Sequence, residues 1–567
     1  MSMPPAKDVD VLVVGAGPVG LTLAGELRRH GVSCRIIDQQ PQPATTSRAL
    51  GVFNRTMEAF GQMGIAEEIL ARGQKAQMMN IYADGKHLAG FGFASHLYET
   101  PYESPLFCSQ VAVEQVLTNH LAHFDVQVER GIELLSVAQD ASGVVASVRL
   151  NDGTESHIHA RWLAGCDGGH SRIRKVLQLP FEGSPDETWM VVDVNIDWKL
   201  PKHSLHAFLS PEGTVIAFPF PEGKRWRLLE TVVPDKTDPS SVAQHFTRKL
   251  NEVYRAERVV IPEPLWLSVF TIQQRHVPVM RAGRGFVVGD AAHVHSPASG
   301  QGMNTGIQDA CNLAWKLALV IHDQAEETLL DSYSIERLAI ATRVLNGALT
   351  FTRIIGQNNP LKQHLRNGLL QITNTIPALH RRVNRQITTM LSGLNLSYPT
   401  SPIVTEDWST TTRQSTNSAD SGLLPGTRVP DIQFNQAEKQ GLFMLLQGSR
   451  HIGLLLSGLE PSAQDRASLT ELIEYIQHHH SRWMQLFLVA PSAEIQHELH
   501  HRGSVVLDEQ RILHRRLGAQ TTTFYLLRPD GYVGYRNQPA KVDYIDHYVR
   551  NILGMRIATT VTQGDVK

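Results

Sequence analysis

Arg284–Leu319 reads RGFVVGDAAHVHSPASGQGMNTGIQDACNLAWKLAL. Its first part, Phe286–Val288, is a short apolar run that predicts a strand, and Gly289-Asp290 stops it. A Pro/Ser/Gly loop follows and ends at Gly300-Gln301-Gly302. From about Met303 to Val320 apolar residues recur at helical spacing. A helix N-terminus leaves backbone N–H groups unsatisfied and carries the positive end of the helix dipole. That combination suits a group that becomes negative during a reaction.

The amino-terminal stretch points to a ligand of the same kind. Residues 9–14, VDVLVV, form a near-continuous apolar run, as a parallel strand buried on both faces requires. The loop Gly15-Ala16-Gly17-Pro18-Val19-Gly20 follows, then a helix to about His30 with Gly31 as its stop. Residues 34–37, CRII, predict the next strand, which ends at Asp38. This is G-x-G-x-x-G between a strand and a helix, with an acidic residue about 20 positions on. The first glycine permits the tight turn, the second lets a pyrophosphate approach the backbone, and the third allows close packing of helix on strand. Asp38 is placed to accept hydrogen bonds from an adenosine ribose.

A further corner follows Ala160–Ala164, an apolar run that leads into Gly165-Cys166-Asp167-Gly168-Gly169-His170-Ser171-Arg172-Ile173-Arg174. Strand, Asp-Gly, then Ser and Arg opening a helix faces a phosphate or nucleotide, or else is a turn with Ser171 as N-cap. Residues 185–275 change character, with short alternating runs and turns at Pro211-Glu212-Gly213 and Pro221-Glu222-Gly223, which predicts an inserted antiparallel sheet. Helical periodicity runs from Tyr333 to about Leu396, and the Ser/Thr/Pro/Gly-rich residues after it predict a linker. The order of elements beyond the linker, with Leu442–Gln447 among the strands, suits a thioredoxin-like fold. Ser457-Gly458-Leu459-Glu460-Pro461-Ser462 stands where a redox thioredoxin needs Cys-x-x-Cys, so that domain is expected to be redox-inert.

At 567 residues the chain exceeds a single core. A net charge of -2 gives no electrostatic case for nucleic acid. MSMPPAKDVD lacks the basic and apolar regions of a signal peptide, and no apolar run approaches the ~20 residues that span a bilayer, so no membrane partner is expected. Cys34, Cys108, Cys166 and Cys311 are far apart, which fits buried thiols in a cytoplasmic protein. His497-Glu498-Leu499-His500-His501 matches H-E-x-x-H, but a short connecting helix lacks the length, third ligand and cleft of a zinc protease, so no metal is expected.

Together Gly15-x-Gly17-x-x-Gly20, Asp167-Gly168, and Gly289-Asp290 with Pro297 and Gly300-x-Gly302-Met303-Asn304 resemble the single-component FAD-dependent aromatic hydroxylases over residues 9–340. The tail makes the chain look like the phenol hydroxylase branch, with 3-(3-hydroxyphenyl)propionate and polyketide hydroxylases. The resemblance implies an α/β fold in five parts. These are a Rossmann-like FAD-binding domain at 1–184, a β-sheet substrate domain at 185–275, a return to the FAD domain with helices at 276–400, a linker at 401–428 and a redox-inert thioredoxin-like domain at 429–567. It implies FAD, with NADPH or NADH as reductant, and hydroxylation of a phenolic or polyketide-like ring by dioxygen through a flavin C4a-hydroperoxide. Besides O2 the partner is a small aromatic substrate, and a homodimer is left open.

By that resemblance Gly15, Ala16, Gly17, Pro18, Gly20 and Asp38 hold the ADP half of FAD. Arg48 and Gln110 contact its pyrophosphate and ribityl regions. Asp167, supported by Arg174, serves FAD and the nicotinamide, and Asp290 binds the ribityl chain. Gly302, Met303 and Asn304 lie against the flavin pyrimidine, Gly300 lets the loop move, and Pro297 lines the active site. His293 and His295 are near enough to carry protons, with structural hydrogen bonding the preferred role for both. Two positions depart from the family: Asp38 replaces the more frequent Glu, and Leu50 stands where phenol hydroxylase has an active-site acid. No phenol-deprotonating base is therefore assigned. Two rival functions remain, an FAD-dependent oxidase or dehydrogenase without oxygen insertion, and a non-enzymatic flavin-binding protein.

Overall fold

The computed structural model describes residues 9–47, 49–93, 98–294, 300–355, 359–409, 422–435 and 440–556. They form two compact units. The first takes Met1–Arg28, Ser33–Ala310 and Ile340–Asn395, and the second Arg29–Val32, Cys311–Ala339 and Leu396–Lys567.

The first unit contains two large sheets. One runs in the order Arg281–Ala282, Gly285–Val287, Glu155–Gly165, Val9–Val14, Cys34–Asp38, Val128–Arg130. From Gly285–Val287 to Val128–Arg130 every pairing is parallel. Val11, Leu12 and Val13 have no solvent exposure, as a strand covered on both faces must. The helix Pro18–Arg29 starts with proline at its first position, where a missing N–H costs nothing. The helix Gln110–Ala122 is capped by Ser109, whose Oγ accepts from Ala112 N at 3.2 Å.

The second sheet differs from the expected antiparallel insertion. Its order is His293–Val294, Trp266–His276, Glu182–Asn195, Arg225–Glu230, Gly213–Pro219, Ser204–Ser210, Met78–Ala83, Lys86–Gly92. Strands from residues 78–92 therefore leave the 1–184 segment and complete this sheet. Ser204–Ser210 pairs with Met78–Ala83 in parallel, so the sheet is mixed. The reason is that both strands carry apolar residues at alternate positions, with Met79, Ile81 and Ala83 packing beside Ala207 and Leu209 in one core. Pro239–Val253 is a helix inside the 185–275 stretch, started by Asp238, whose side chain accepts from Ser241 N. Its Val242, Phe246 and Leu250 pack under Val192, Trp226 and Leu228.

The second unit holds a six-stranded sheet ordered Thr405–Trp408, Val533–Gln538, Thr523–Leu527, His451–Leu456, Met484–Ala490, Ser504–Leu507. Two expectations change here. Thr405–Trp408 is a strand, not linker, because it hydrogen-bonds in parallel along Tyr535–Gln538. Leu442–Leu446 is a 3-10 turn, not a strand, since Leu442, Phe443 and Leu446 are buried while Met444, which would share a strand face with Leu442 and Leu446, is exposed. The end of the long helix Gln301–Ile321 and the start of Asp331–Ile355 also belong to this unit.

A buried charge cluster joins these elements of the second unit. Glu336 Oε1 accepts from Arg528 Nη1 at 2.6 Å and Ser401 Oγ at 2.6 Å. Its Oε2 accepts from Arg528 Nη2, Lys316 Nζ and Asn312 Nδ2 at 2.9, 2.8 and 2.7 Å. Asp530 takes the other side of Arg528 at 2.6 and 3.0 Å. Burial alone would raise the Glu336 carboxyl, but Arg528 and Lys316 outweigh it and hold it well below the usual range. Two cations face two anions in the dry, so removing one anion leaves a buried positive charge unmatched. Glu336→Gln is expected to destabilise the protein by about 3–5 kcal/mol. Urea unfolding followed by tryptophan fluorescence would measure it, and an unchanged midpoint would contradict the assigned role of the cluster.

Candidate functional site

Three loops leave one edge of the first sheet. Val14 pairs with Gly165, and Gly165 with Val287, so the carboxyl ends of three parallel strands lie side by side. The loops starting there carry Gly15–Gly20, Asp167-Gly168 and Gly289-Asp290. In an open parallel sheet, ligands bind at this carboxyl edge.

The glycine loop separates what the protein needs from what a ligand needs. Gly15 has φ +102°, and a Cβ there would stand 2.5 Å from Cys166 O. A Cβ on Gly20 would stand 1.9 Å from Gly15 O. The protein's own packing therefore demands both. Among the described residues, apart from its chain neighbours and its own helix backbone, none has an atom within 4 Å of the would-be Cβ of Gly17. Its missing side chain leaves open space beside bare backbone. Asp38 Oδ2 accepts from Ala16 N at 2.6 Å and Oδ1 from Gln40 N at 2.7 Å, so the carboxylate also ties the glycine loop to the end of its strand.

Asp167 Oδ2 accepts from Arg172 N and Ile173 N at 2.6 and 3.1 Å. Ser171 is the N-cap of the same short helix, accepting from Arg174 N at 2.9 Å. Asp167 Oδ1 is buried and has no partner among the described residues. Arg174 lies over the Phe181 ring and donates to Gly169 O at 2.9 Å and Ala291 O at 3.0 Å. Burial lowers its pKa. Its guanidinium thus cross-ties the Asp-Gly loop to the Gly-Asp turn.

That turn, Gly289–Ala291, presents an exposed Asp290. Behind it Gly289 and Gly306 meet: a Cβ on Gly306 would stand 2.6 Å from Val19 Cγ2 and 3.1 Å from Gly289 Cα. Asp309, fully buried, accepts from Gly289 N at 3.1 Å and bonds His293 Nε2 at 2.7 Å, both through Oδ2. His293 is therefore part of the anchor, in line with its preferred structural role.

The long helix begins at Gln301, two residues before the expected start, which puts Gly302, Met303 and Asn304 in its first turn. The N–H groups of a first turn have no partner within the helix. The Asn304 side chain is used by the protein: Oδ1 accepts from Phe53 N at 2.9 Å, and Nδ2 donates to Gly51 O and Gly300 O at 3.0 and 2.9 Å. What it offers outward is backbone. Gly300, with φ +63°, makes the turn into the helix.

Gln110 Oε1 accepts from Ala49 N at 3.1 Å, and its backbone N donates to Ser47 Oγ at 2.8 Å. Arg227 of the second sheet donates to Ser47 O at 2.5 Å while paired with the buried Asp193 at 2.8 and 3.0 Å. Both neighbours of position 48 are thus pinned. Arg48, His295 and Pro297 lie outside the described residues. Asp309, Gly306 and the Asp193–Arg227 pair are additions to the residues singled out from sequence. Their signal is faint: an acid three positions after a glycine in an apolar helix, and opposed charges on two strands that pair.

These features fit a flavin dinucleotide: open space at Gly17, an orphaned buried oxygen on Asp167, and a helix first turn beside them. A family model described as FAD binding domain matches residues 8–348. The chain is 37% identical to 6-methylpretetramide 4-monooxygenase of Streptomyces rimosus over 94% of this chain and 92% of that protein. It is 31% identical to pentachlorophenol 4-monooxygenase of Sphingobium chlorophenolicum over 94% of each. Among solved structures, the anhydrotetracycline hydroxylase OxyS of Streptomyces rimosus matches with TM-score 0.70 and 27% identity, over 97% of this chain and 100% of that one.

The two glycines should separate in experiment. Gly17→Ala is expected to fold normally yet bind FAD at least about tenfold more weakly, roughly 1.4 kcal/mol. Gly20→Ala is expected to lose about 3 kcal/mol of apo-protein stability through overpacking. FAD titration and thermal melts of apo protein distinguish them, and equal behaviour of the two would refute the assignment.

Proposed function

The chain belongs to the FAD binding domain family and is an FAD-dependent monooxygenase of the aromatic hydroxylase class, and from that premise we propose that its substrate is a phenolic ring of polyketide type. The reading is supported by 37% identity to 6-methylpretetramide 4-monooxygenase along nearly the whole chain, against 31% to pentachlorophenol 4-monooxygenase. The observation that carries the cofactor's placement is the meeting of three loops at one sheet edge, with open space at Gly17.

In this reading Gly15, Ala16, Gly17, Pro18 and Gly20 line the pyrophosphate, and Asp38 takes the adenosine ribose while holding the loop through Ala16 N. Gln110 sets the loop bearing Arg48, which meets the pyrophosphate. Asp167 serves FAD and the nicotinamide of NADPH or NADH, and Arg174 positions it. Asp290 binds the ribityl chain. The first-turn N–H groups of Gly302, Met303 and Asn304 face the flavin pyrimidine and stabilise the negative charge it gains on reduction. Pro297 lines the substrate space, and a proton-carrying role stays with His295. FAD supplies hydride acceptance and dioxygen activation, which amino-acid side chains do not. The second sheet orients the aromatic ring and excludes water.

The six-stranded sheet of the second unit is assigned a thioredoxin-like fold. Its parallel strands His451–Leu456, Met484–Ala490 and Ser504–Leu507 are continued by an antiparallel hairpin. Absence of Cys-x-x-Cys makes it redox-inert. Cys34, Cys108 and Cys166 are buried thiols while Cys311, against expectation, is half-buried, and free thiols of this kind support a cytoplasmic protein.

The experiment is NADPH and NADH consumption under isotopically labelled dioxygen, with product mass across phenols, phenylpropanoids and polycyclic quinones. Substrate-stimulated oxidation with one labelled oxygen in a polycyclic phenol is the expected outcome. Peroxide with unlabelled product would instead assign an oxidase, and turnover confined to monocyclic phenols would overturn the substrate class.

A further inference from the structure

Two helices of the first unit, Pro360–Thr375 and Pro377–Ser392, pack on the second sheet by one side only. Leu370, Val383, Ile387 and Leu391 join the core beneath Phe91 and Leu209. His380 Nε2 lies 2.9 Å from Gly90 O, and Thr388 Oγ1 donates to Gly92 O at 3.3 Å. These contacts fix which side faces away. On that side Leu361, Leu365, Leu369, Ile372 and Ile376 are 80%, 65%, 53%, 48% and 47% exposed. Their spacing of four, four, three and four residues lines one stripe of a helix and its end. A contiguous apolar stripe of this kind on a chain with an ordinary core marks a surface that is covered in use.

The charges around it say by what. From Pro360 to Ser392 the sequence has five Lys or Arg and no Asp or Glu, in a chain with 55 acids and 53 bases. Lys362, Arg381, Arg382 and Arg385 are exposed on the two helices. Among the described residues no ion pair joins any of the four to an acid. A second copy of the chain seated on a two-fold axis would bring the same bases against one another, with no acid on either helix to alternate with them. An apolar face rimmed by unneutralised Lys and Arg matches instead the acyl boundary and anionic headgroups of a lipid leaflet.

We infer that the exposed face of helices Pro360–Thr375 and Pro377–Ser392 docks on the surface of an anionic lipid bilayer, with Leu361, Leu365, Leu369, Ile372 and Ile376 entering the interface and Lys362, Arg381, Arg382 and Arg385 meeting the headgroups. None of the described helices is long and apolar enough to cross a membrane, and surface docking requires none. The expectation of no membrane partner concerned spanning and targeting segments, and surface docking by a face formed by two helices is a separate question. The inference stands on this surface and is independent of the reaction assigned above.

Flotation of the full-length, FAD-loaded protein with vesicles tests it. Vesicles of equal parts phosphatidylcholine and phosphatidylglycerol should carry the protein upward, and phosphatidylcholine alone should bind at least about tenfold more weakly. High salt should weaken the binding. Two double variants, Leu365→Glu with Leu369→Glu and Arg381→Glu with Arg382→Glu, should each lose flotation while keeping the flavin spectrum and melting temperature of the parent. Failure of the parent to float with anionic vesicles would overturn the inference, as would flotation of either variant equal to that of the parent. A lipid-free dimer in light scattering that the leucine variant dissociates would assign the face to a second copy and equally overturn it.

Discussion

The carboxylate of Asp309 is the constraint on which the site depends. It is buried in the long helix, and one of its oxygens accepts the Gly289 N–H and bonds the His293 ring. A buried carboxylate without such partners is costly, so the helix, the turn and the ring are held as one piece. The helix can lie this close to the turn because Gly289 and Gly306 both lack a Cβ where Val19 presses in. The consequence is functional. The first turn of the helix and Asp290 are presented together, and the helix brings its unsatisfied N–H groups to the edge from which the other two loops also start.

The same economy recurs around the site. Side chains that sequence reasoning places against a ligand are in several cases fastening backbone: Asp38 holds Ala16, Gln110 holds Ala49, Arg174 bridges Gly169 and Ala291, and Asn304 grips Gly51, Phe53 and Gly300. In the proposed reading a pyrophosphate or a reduced ring would be met mainly by amide groups whose positions these side chains set. Preorganised backbone donors need no rearrangement as charge develops, which makes them effective in catalysis. The second sheet takes part as well, because Arg227, paired with Asp193, reaches Ser47 beside Arg48.

The second unit uses charge for a different purpose. Lys316, Glu336, Arg528 and Asp530 form a closed, fully buried set within it. Such sets add little net stability compared with apolar packing, but they tolerate few alternative arrangements, since each one that breaks a pair leaves a charge unmatched. The histidine-rich stretch of this unit has no comparable organisation. Glu498 pairs with Arg466, and the helix holding His497 ends at Leu499. Among the described residues no group of His, Cys, Asp or Glu is placed to hold a metal.

Local patterns were enough to determine the parallel strands at Val9–Val14 and Cys34–Asp38, the glycine loop and the start of the long helix to within two residues. Each depends on residues close in sequence: apolar runs, a turn that only glycine makes, and a helix start that follows it. Tertiary structure alone decided the rest. Met78–Gly92 joined the second sheet, Thr405–Trp408 became an edge strand, and the aspartates 193 and 309 acquired their partners. Strand pairing across more than a hundred residues, and the burial of a carboxylate against a partner 16 to 34 positions away, leave no periodicity to read. They are set by which surfaces meet when the chain closes, and that is a property of the fold as a whole.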